Sequence, residues 1–195
     1  MHETQRLLEA AAALSRLLSA GQVPHAFYGS ILTAVLSNAP QADDIFCIVE
    51  GGNAHPFRRV RQACAGTEDF TLVSSPWSNR LHVTYQRFIP PVDVGLLEIE
   101  ILVAGEDGPR RLDASKVMIV GNLPFLTVSE FLRAKLKAWA IRGEAKDAQD
   151  ITFAITRYWN QVDINRIPEH EMNEFVKSNN AAAPGWASLK RRYGM

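Results

Sequence analysis

The stretch FYGSILTAVLSNAPQADDIFCIVE, residues 27–50, constrains the chain more than any other part of it. Residues 23–28 make a short apolar strand that stops at Gly29-Ser30, and residues 30–37 continue as a helix with Ile31, Leu32, Val35 and Leu36 on one side. Asp43 and Asp44 then open the apolar run Ile45 to Val49, which has strand length and the continuous apolar character of a strand covered on both faces. A strand, a tight turn, a helix and a buried strand in immediate succession call for a sheet with helices packed on it.

Two features of this stretch carry chemistry. Gly29-Ser30 lies between a strand and a helix N-terminus, where unpaired backbone N–H groups and the helix dipole favour an anion and a glycine lets a phosphate approach the main chain. The same dipeptide also serves as a plain strand-to-helix turn. Asp43 and Asp44 stand where an acidic pair would face bound phosphates through Mg2+, or where a strand simply begins in solvent.

The remainder of the first two-thirds is strand-rich. After the GGN break at 51–53, residues 55–65 read as a helix with Phe57, Val60 and Cys64 inward and Arg58, Arg59 and Arg61 on a solvated face. Residues 70–75, 80–88 and 95–105 read as consecutive strands, and KVMIVGNLPFLT adds one more short strand before Pro124. In LLEIEIL, Glu98 and Glu100 are two apart and share one strand face, with Leu97, Ile99 and Ile101 on the other.

Beyond that, the pattern is helical. Thr127 and Glu130 have the spacing of a capping box, which predicts a helix to Arg142 closed by Gly143. Further helices are predicted over residues 146–159 and 168–178, and an amphipathic helix precedes Gly21 at the N-terminus. The expected organisation is an α+β core over 1–126 and a helical region over 127–195 packed on it.

With 195 residues and 47% hydrophobic content, the chain can bury a sizeable core. Lys plus Arg equals Asp plus Glu at 21 each, so there is no strong nucleic-acid signal and no field directed at an acidic membrane. The basic KRRYGM end is short and reads as a solvated tail. Cys47 and Cys64 have no metal or redox spacing, which points to buried thiols and a reducing, cytoplasmic setting.

The order strand, Gly29-Ser30, helix, Asp44 at a strand start and a later strand carboxylate resembles the polymerase-β type nucleotidyltransferase superfamily. FLTVSEFLRAKLKAWAIRGEAKDAQDITFAI extends the resemblance to abortive-infection and toxin-type nucleotidyltransferase-like proteins, through Lys135-Leu136-Lys137-Ala138, Arg142 and Lys146-Asp147-Ala148-Gln149-Asp150. The resemblance implies a mixed β-sheet flanked by helices, with a helical C-terminal region. It implies Asp44, Glu100 and Glu98 as catalytic acids and Asp44 and Glu100 as Mg2+ ligands. Gly29, Ser30, Lys135, Arg142 and Lys146 would bind substrate, and the reaction would move a nucleoside monophosphate to a hydroxyl acceptor; Tyr28 and Phe46 are further substrate-binding candidates, as aromatic walls of an apolar pocket.

One position departs from that pattern. The family's Asp-x-Asp aligns with Asp44-Ile45-Phe46, so a phenylalanine stands where the second carboxylate holds two metal ions together. Starting the motif at Asp43 restores nothing, because Asp43 projects to the opposite face from Asp44. The alternative expectation is therefore a repurposed fold: a metal-independent small-molecule enzyme of cyclase or isomerase type, or a non-catalytic binding module. In that reading the ligand is a nucleotide or another small molecule, His25 and His82 join the acids as acid-base candidates, and Tyr28, Trp77, Tyr85 and Phe88 are candidate pocket walls.

Overall fold

The computed structural model describes residues 3–39, 41–74, 80–86 and 96–195. Trp77 and Phe88 lie outside the described residues. The chain divides into two compact units, Met1–Phe125 and Leu126–Met195. Among the described residues it is an α+β protein with a mixed seven-stranded sheet and seven α-helices.

The first unit holds α1 (Glu3–Ala20), β1 (His25–Tyr28), α2 (Ser30–Ser37), β2 (Phe46–Val49), α3 (Pro56–Cys64), β3 (Phe70–Ser74), β4 (Leu81–Tyr85), β5 (Leu97–Val103), β6 (Val117–Val120) and β7 (Leu123–Leu126). The strand order is β3-β4-β5-β2-β1-β7-β6. β2 pairs antiparallel with β1 and parallel with β5, and β3, β4 and β5 form an antiparallel meander. The apolar run 45–49 thus lies in the middle of the sheet, with Cys47, Ile48 and Val49 fully buried.

Alternation sorts the strands onto two faces. Phe27, Cys47, Ile99, Ile101 and Val83 share the face against the helices, and all five are fully buried. The opposite face is capped at one end, where Ile48 meets the turn at Gly108.

Three expectations change here. KVMIVGNLPFLT forms two strands rather than one, because Gly121 (φ 58°) and Asn122 (φ 65°) make the left-handed two-residue turn that joins a tight hairpin. Arg59 is half-buried rather than part of a purely solvated face: its guanidinium donates to the carbonyls of Glu50 (3.2 Å), Gly51 and Gln22 (2.8 Å) and ties α3 to the neighbouring loops. His55, predicted inside α3, instead caps it, accepting from Phe57 N–H at 3.2 Å.

The second unit holds α4 (Val128–Arg142), α5 (Ala145–Tyr158), α6 (Glu169–Ser178) and α7 (Ala183–Arg192), with 3-10 turns between them. Thr127 caps α4 through Glu130 N–H and Gly143 ends it in the left-handed region, as the sequence predicts. Glu130 itself turns away from the cap and pairs with Arg166 at 2.6 Å. The helix α7 has no counterpart in the sequence reading. It turns part of the supposed tail into ordered structure, with Lys190 over the Trp186 ring and Arg192 donating to the Asn160 carbonyl.

Candidate functional site

The turn at Gly29-Ser30 is closed from within. Asp44 comes back over the N-terminus of α2, where its carboxylate accepts from Ser30 N–H and its carbonyl accepts from Ile31 N–H at 3.2 Å. The Ser30 hydroxyl in turn accepts from the backbone N–H groups of Asp43 and Asp44 at 2.9 and 3.0 Å. The helix end, which attracts anions, is thus served by the chain's own carboxylate.

This closeness explains Gly29. Its backbone sits at φ 116° and ψ −170°, a region essentially confined to glycine. A Cβ there would lie 2.6 Å from Asp44 Oδ1 and 3.0 Å from both the Asp44 carbonyl oxygen and the Phe46 ring.

Sheet register then fixes which side chains meet on the open face. Tyr28 pairs with Phe46, Phe46 with Glu100, Glu100 with His82, and His82 with Val73. Residues paired across strands project to the same side, so these five form one row. Phe46 and Tyr28 stack with ring centroids 5.1 Å apart and planes 29° apart. Both are half-buried, and the stacked pair makes a partly accessible aromatic shelf on the face.

Two acids on this face lie against basic side chains. Glu100, 14% exposed, pairs with Arg80 at 2.6 Å, and the Arg80 side chain is 58% exposed. Glu98 pairs with His82. The two pairs run diagonally between β4 and β5, at the side of the aromatic shelf.

The fit to a metal ion can be tested on this donor set. Among the described residues, no group of three or more His, Cys, Asp and Glu side chains could hold a metal ion. Asp44 is turned to Ser30, Glu100 is paired with Arg80, and Phe46, two residues after Asp44, brings a ring rather than a carboxylate. The residues present do not fit a pair of Mg2+ ions.

Other candidates are placed elsewhere. His25 is buried on the helix side of the sheet, with Nδ1 2.8 Å from the Val23 carbonyl and Nε2 2.8 Å from Ser15 Oγ. Burial lowers its pKa from the ordinary histidine value. Tyr85 packs on Phe70 in the core, centroids 5.0 Å apart. The Cys47 and Cys64 thiols are both pushed up by burial, Cys64 to about 11, and each is a free thiol.

Lys135, Arg142 and Lys146 belong to the second unit. Lys135 is not on an exposed helix face: its side chain is 3% exposed and pairs with Asp147 at 3.3 Å and Asp150 at 2.8 Å. Arg142 completes the group through Asp147 at 2.8 Å. Lys135, Asp147 and Asp150 are the buried part of this cluster and Arg142, also 3.9 Å from Glu144, its half-exposed edge; together they link α4 to α5. Lys146 is half-buried in the first turn of α5.

Arg80 escaped the sequence reading. A signal is present: Arg80, just ahead of β4, and His82, within it, are two apart, as Glu98 and Glu100 are on β5, so both pairs follow the same period.

The fold is nucleotidyltransferase-like. The chain is similar over 95% of its length to 93% of an antigenic nucleotidyltransferase-like protein from Paracoccidioides brasiliensis, with a TM-score of 0.65 and 17% identity. It is also similar over 97% of its length to 82% of JHP933 from Helicobacter pylori, with a TM-score of 0.55 and 15% identity. No protein-family model and no curated protein matches the sequence. Among the described residues, no helix is long and apolar enough to cross a membrane.

Proposed function

We propose that this protein binds a small molecule bearing a flat heteroaromatic ring, of nucleoside type, on the open sheet face of its first unit, without two-metal nucleotidyl transfer. The observation that carries this reading is Phe46. It stands two residues after Asp44, at the position the resemblance assigns to the bridging carboxylate, and it stacks on Tyr28 instead. An aromatic shelf beside charged groups suits an organic ring with polar substituents. Two ions held by one short acidic motif would need a carboxylate there.

Mg2+-dependent transfer to a hydroxyl acceptor is the competing reading, and it gains support from the fold. The pairing of Asp44 with Ser30 and of Glu100 with Arg80 weighs against it. Fold alone does not decide between them.

Calorimetric titration with ATP, GTP, CTP, UTP and adenosine, in EDTA and in MgCl2, separates the two. Binding is expected to persist in EDTA and to weaken about 5- to 150-fold in Phe46→Ala, the range for loss of one ring stacked on an aromatic side chain. Phe46→Leu, which keeps the volume, is expected to weaken binding as well. Binding found only with Mg2+ and unchanged in both variants would overturn the reading, as would the absence of binding by all five ligands.

A further inference from the structure

We propose that Arg80 is the resident cation of this face, standing in for a metal ion: it neutralises Glu100 and offers its remaining guanidinium N–H groups to a phosphate of the ligand. This rests on the preceding reading for the ring, but on separate residues for the charge.

Three observations converge on Arg80. First, its Nη1 lies 2.6 Å from Glu100 Oε1, so the strand carboxylate that would serve a metal is already matched by a protein cation. Second, the two partners differ sharply in exposure: Glu100 is 14% exposed and Arg80 58%, so the carboxylate is sheltered while the guanidinium faces solvent. Third, Glu100 pairs in register with Phe46, which sets the Arg80–Glu100 pair beside the Phe46–Tyr28 shelf.

The chemistry follows from the guanidinium. It is planar, always charged and carries five N–H donors, so a guanidinium ion-paired with one carboxylate oxygen has further donors to engage phosphate oxygens in a forked geometry. A lysine at this position would supply charge without the fork. A fixed cation also needs no ion from solution, so the affinity for a phosphate group would not depend on divalent metal. A phenylalanine where the resemblance sets a bridging carboxylate and a guanidinium on Glu100 then act together: the face offers N–H donors to an anionic ligand without an ion from solution.

The test uses the full chain and two probes that isolate the two halves of the ligand. Inorganic pyrophosphate, titrated calorimetrically in EDTA, reports on the cation, and adenosine reports on the shelf. Arg80→Ala is expected to weaken pyrophosphate binding at least about tenfold, Arg80→Lys to recover part of it, and adenosine affinity to change less than about twofold in either. Arg80 is exposed, and circular dichroism of both variants should match the wild type.

Pyrophosphate affinity that stays within about twofold in Arg80→Ala, or no pyrophosphate binding by the wild type in EDTA, would overturn the inference while leaving the aromatic shelf to stand on its adenosine result. Pyrophosphate binding lost in Arg80→Ala with no adenosine binding at all would do the reverse, sinking the ring site and sustaining Arg80. Mn2+ titration of the wild type, followed by paramagnetic resonance, adds an arm independent of both ligands. No tight site is expected, and a tight site lost in Glu100→Gln with Arg80 intact would contradict the stand-in role.

Discussion

Gly29→Ala tests the geometry on which the whole site depends. The substitution forces an L-residue into a glycine-only backbone region, at a cost of about 1–3 kcal/mol. It also drives a methyl group to within 2.6 Å of Asp44 Oδ1 and 3.0 Å of the Phe46 ring, where overpacking adds about 1–3 kcal/mol. The sum, about 2–6 kcal/mol, is a large share of the stability of an ordinary domain.

Gly21→Ala supplies the control, since an added Cβ there meets nothing nearer than 3.5 Å and the backbone is not in the left-handed region. Its effect should be near zero or slightly stabilising, by about 0.4–1 kcal/mol. Urea unfolding followed by far-ultraviolet circular dichroism measures both, and amide exchange in β1 and β2 localises the loss. If Gly29→Ala destabilises no more than Gly21→Ala, the close packing of Gly29, Asp44 and Phe46 is wrong, and the account of the closed turn goes with it.

Further expectations concern groups outside the shelf. Lys135→Met leaves Asp147 and Asp150 buried without their shared ammonium, while Arg142 still pairs with Asp147, and removing one member of such a pair costs about 3–5 kcal/mol; urea unfolding read by the tryptophans of the second unit should show it, and a loss under about 1 kcal/mol would contradict the buried cluster. His25 is held neutral, with a folded pKa below its unfolded value of 6.5. The unfolded chain therefore binds a proton first as pH falls, so stability is full above about pH 6.5 and declines from there toward the lowered folded pKa. His25→Gln should flatten that part of the pH-stability curve, and a curve of unchanged slope would count against it. Cys47 and Cys64, both buried with raised pKa, should resist a thiol reagent at pH 8 in the native protein and react together on unfolding.

Sequence periodicity carried most of the fold because the elements are amphipathic in simple ways. The run 45–49 announced a central strand, and Thr127 and Gly143 marked both ends of α4. The second strand of the β6–β7 hairpin was hidden because Gly121-Asn122 reads as a break, and only paired left-handed dihedrals make it a turn. The helix α7 was hidden because its apolar positions are few: Trp186 and Leu189 are buried between Gly185, which lies tight against the Ile155 carbonyl, and a basic last turn.

The site was less legible for a different reason. Residue types predict what a side chain can do, whereas partners come from tertiary register. Phe46 could be picked out in the sequence as a departure from an acidic motif, but its stacking on Tyr28 depends on β1 and β2 being antiparallel. Asp44 looked like a metal ligand because it opens a strand, and it is turned to Ser30 because the chain doubles back over α2. Arg80 lay just ahead of a strand, and its meaning depends on β5 lying alongside β4 so that it meets Glu100.

The central claim, that the face binds its ligand through an aromatic shelf and a fixed cation in place of a metal pair, meets its most direct test in one titration. Wild-type protein is titrated with ATP in EDTA, and the titration is repeated in excess MgCl2. The account predicts binding in EDTA and an affinity that is equal or weaker with Mg2+, because the ion competes with Arg80 for the phosphates. An affinity raised about tenfold or more by Mg2+ would contradict it.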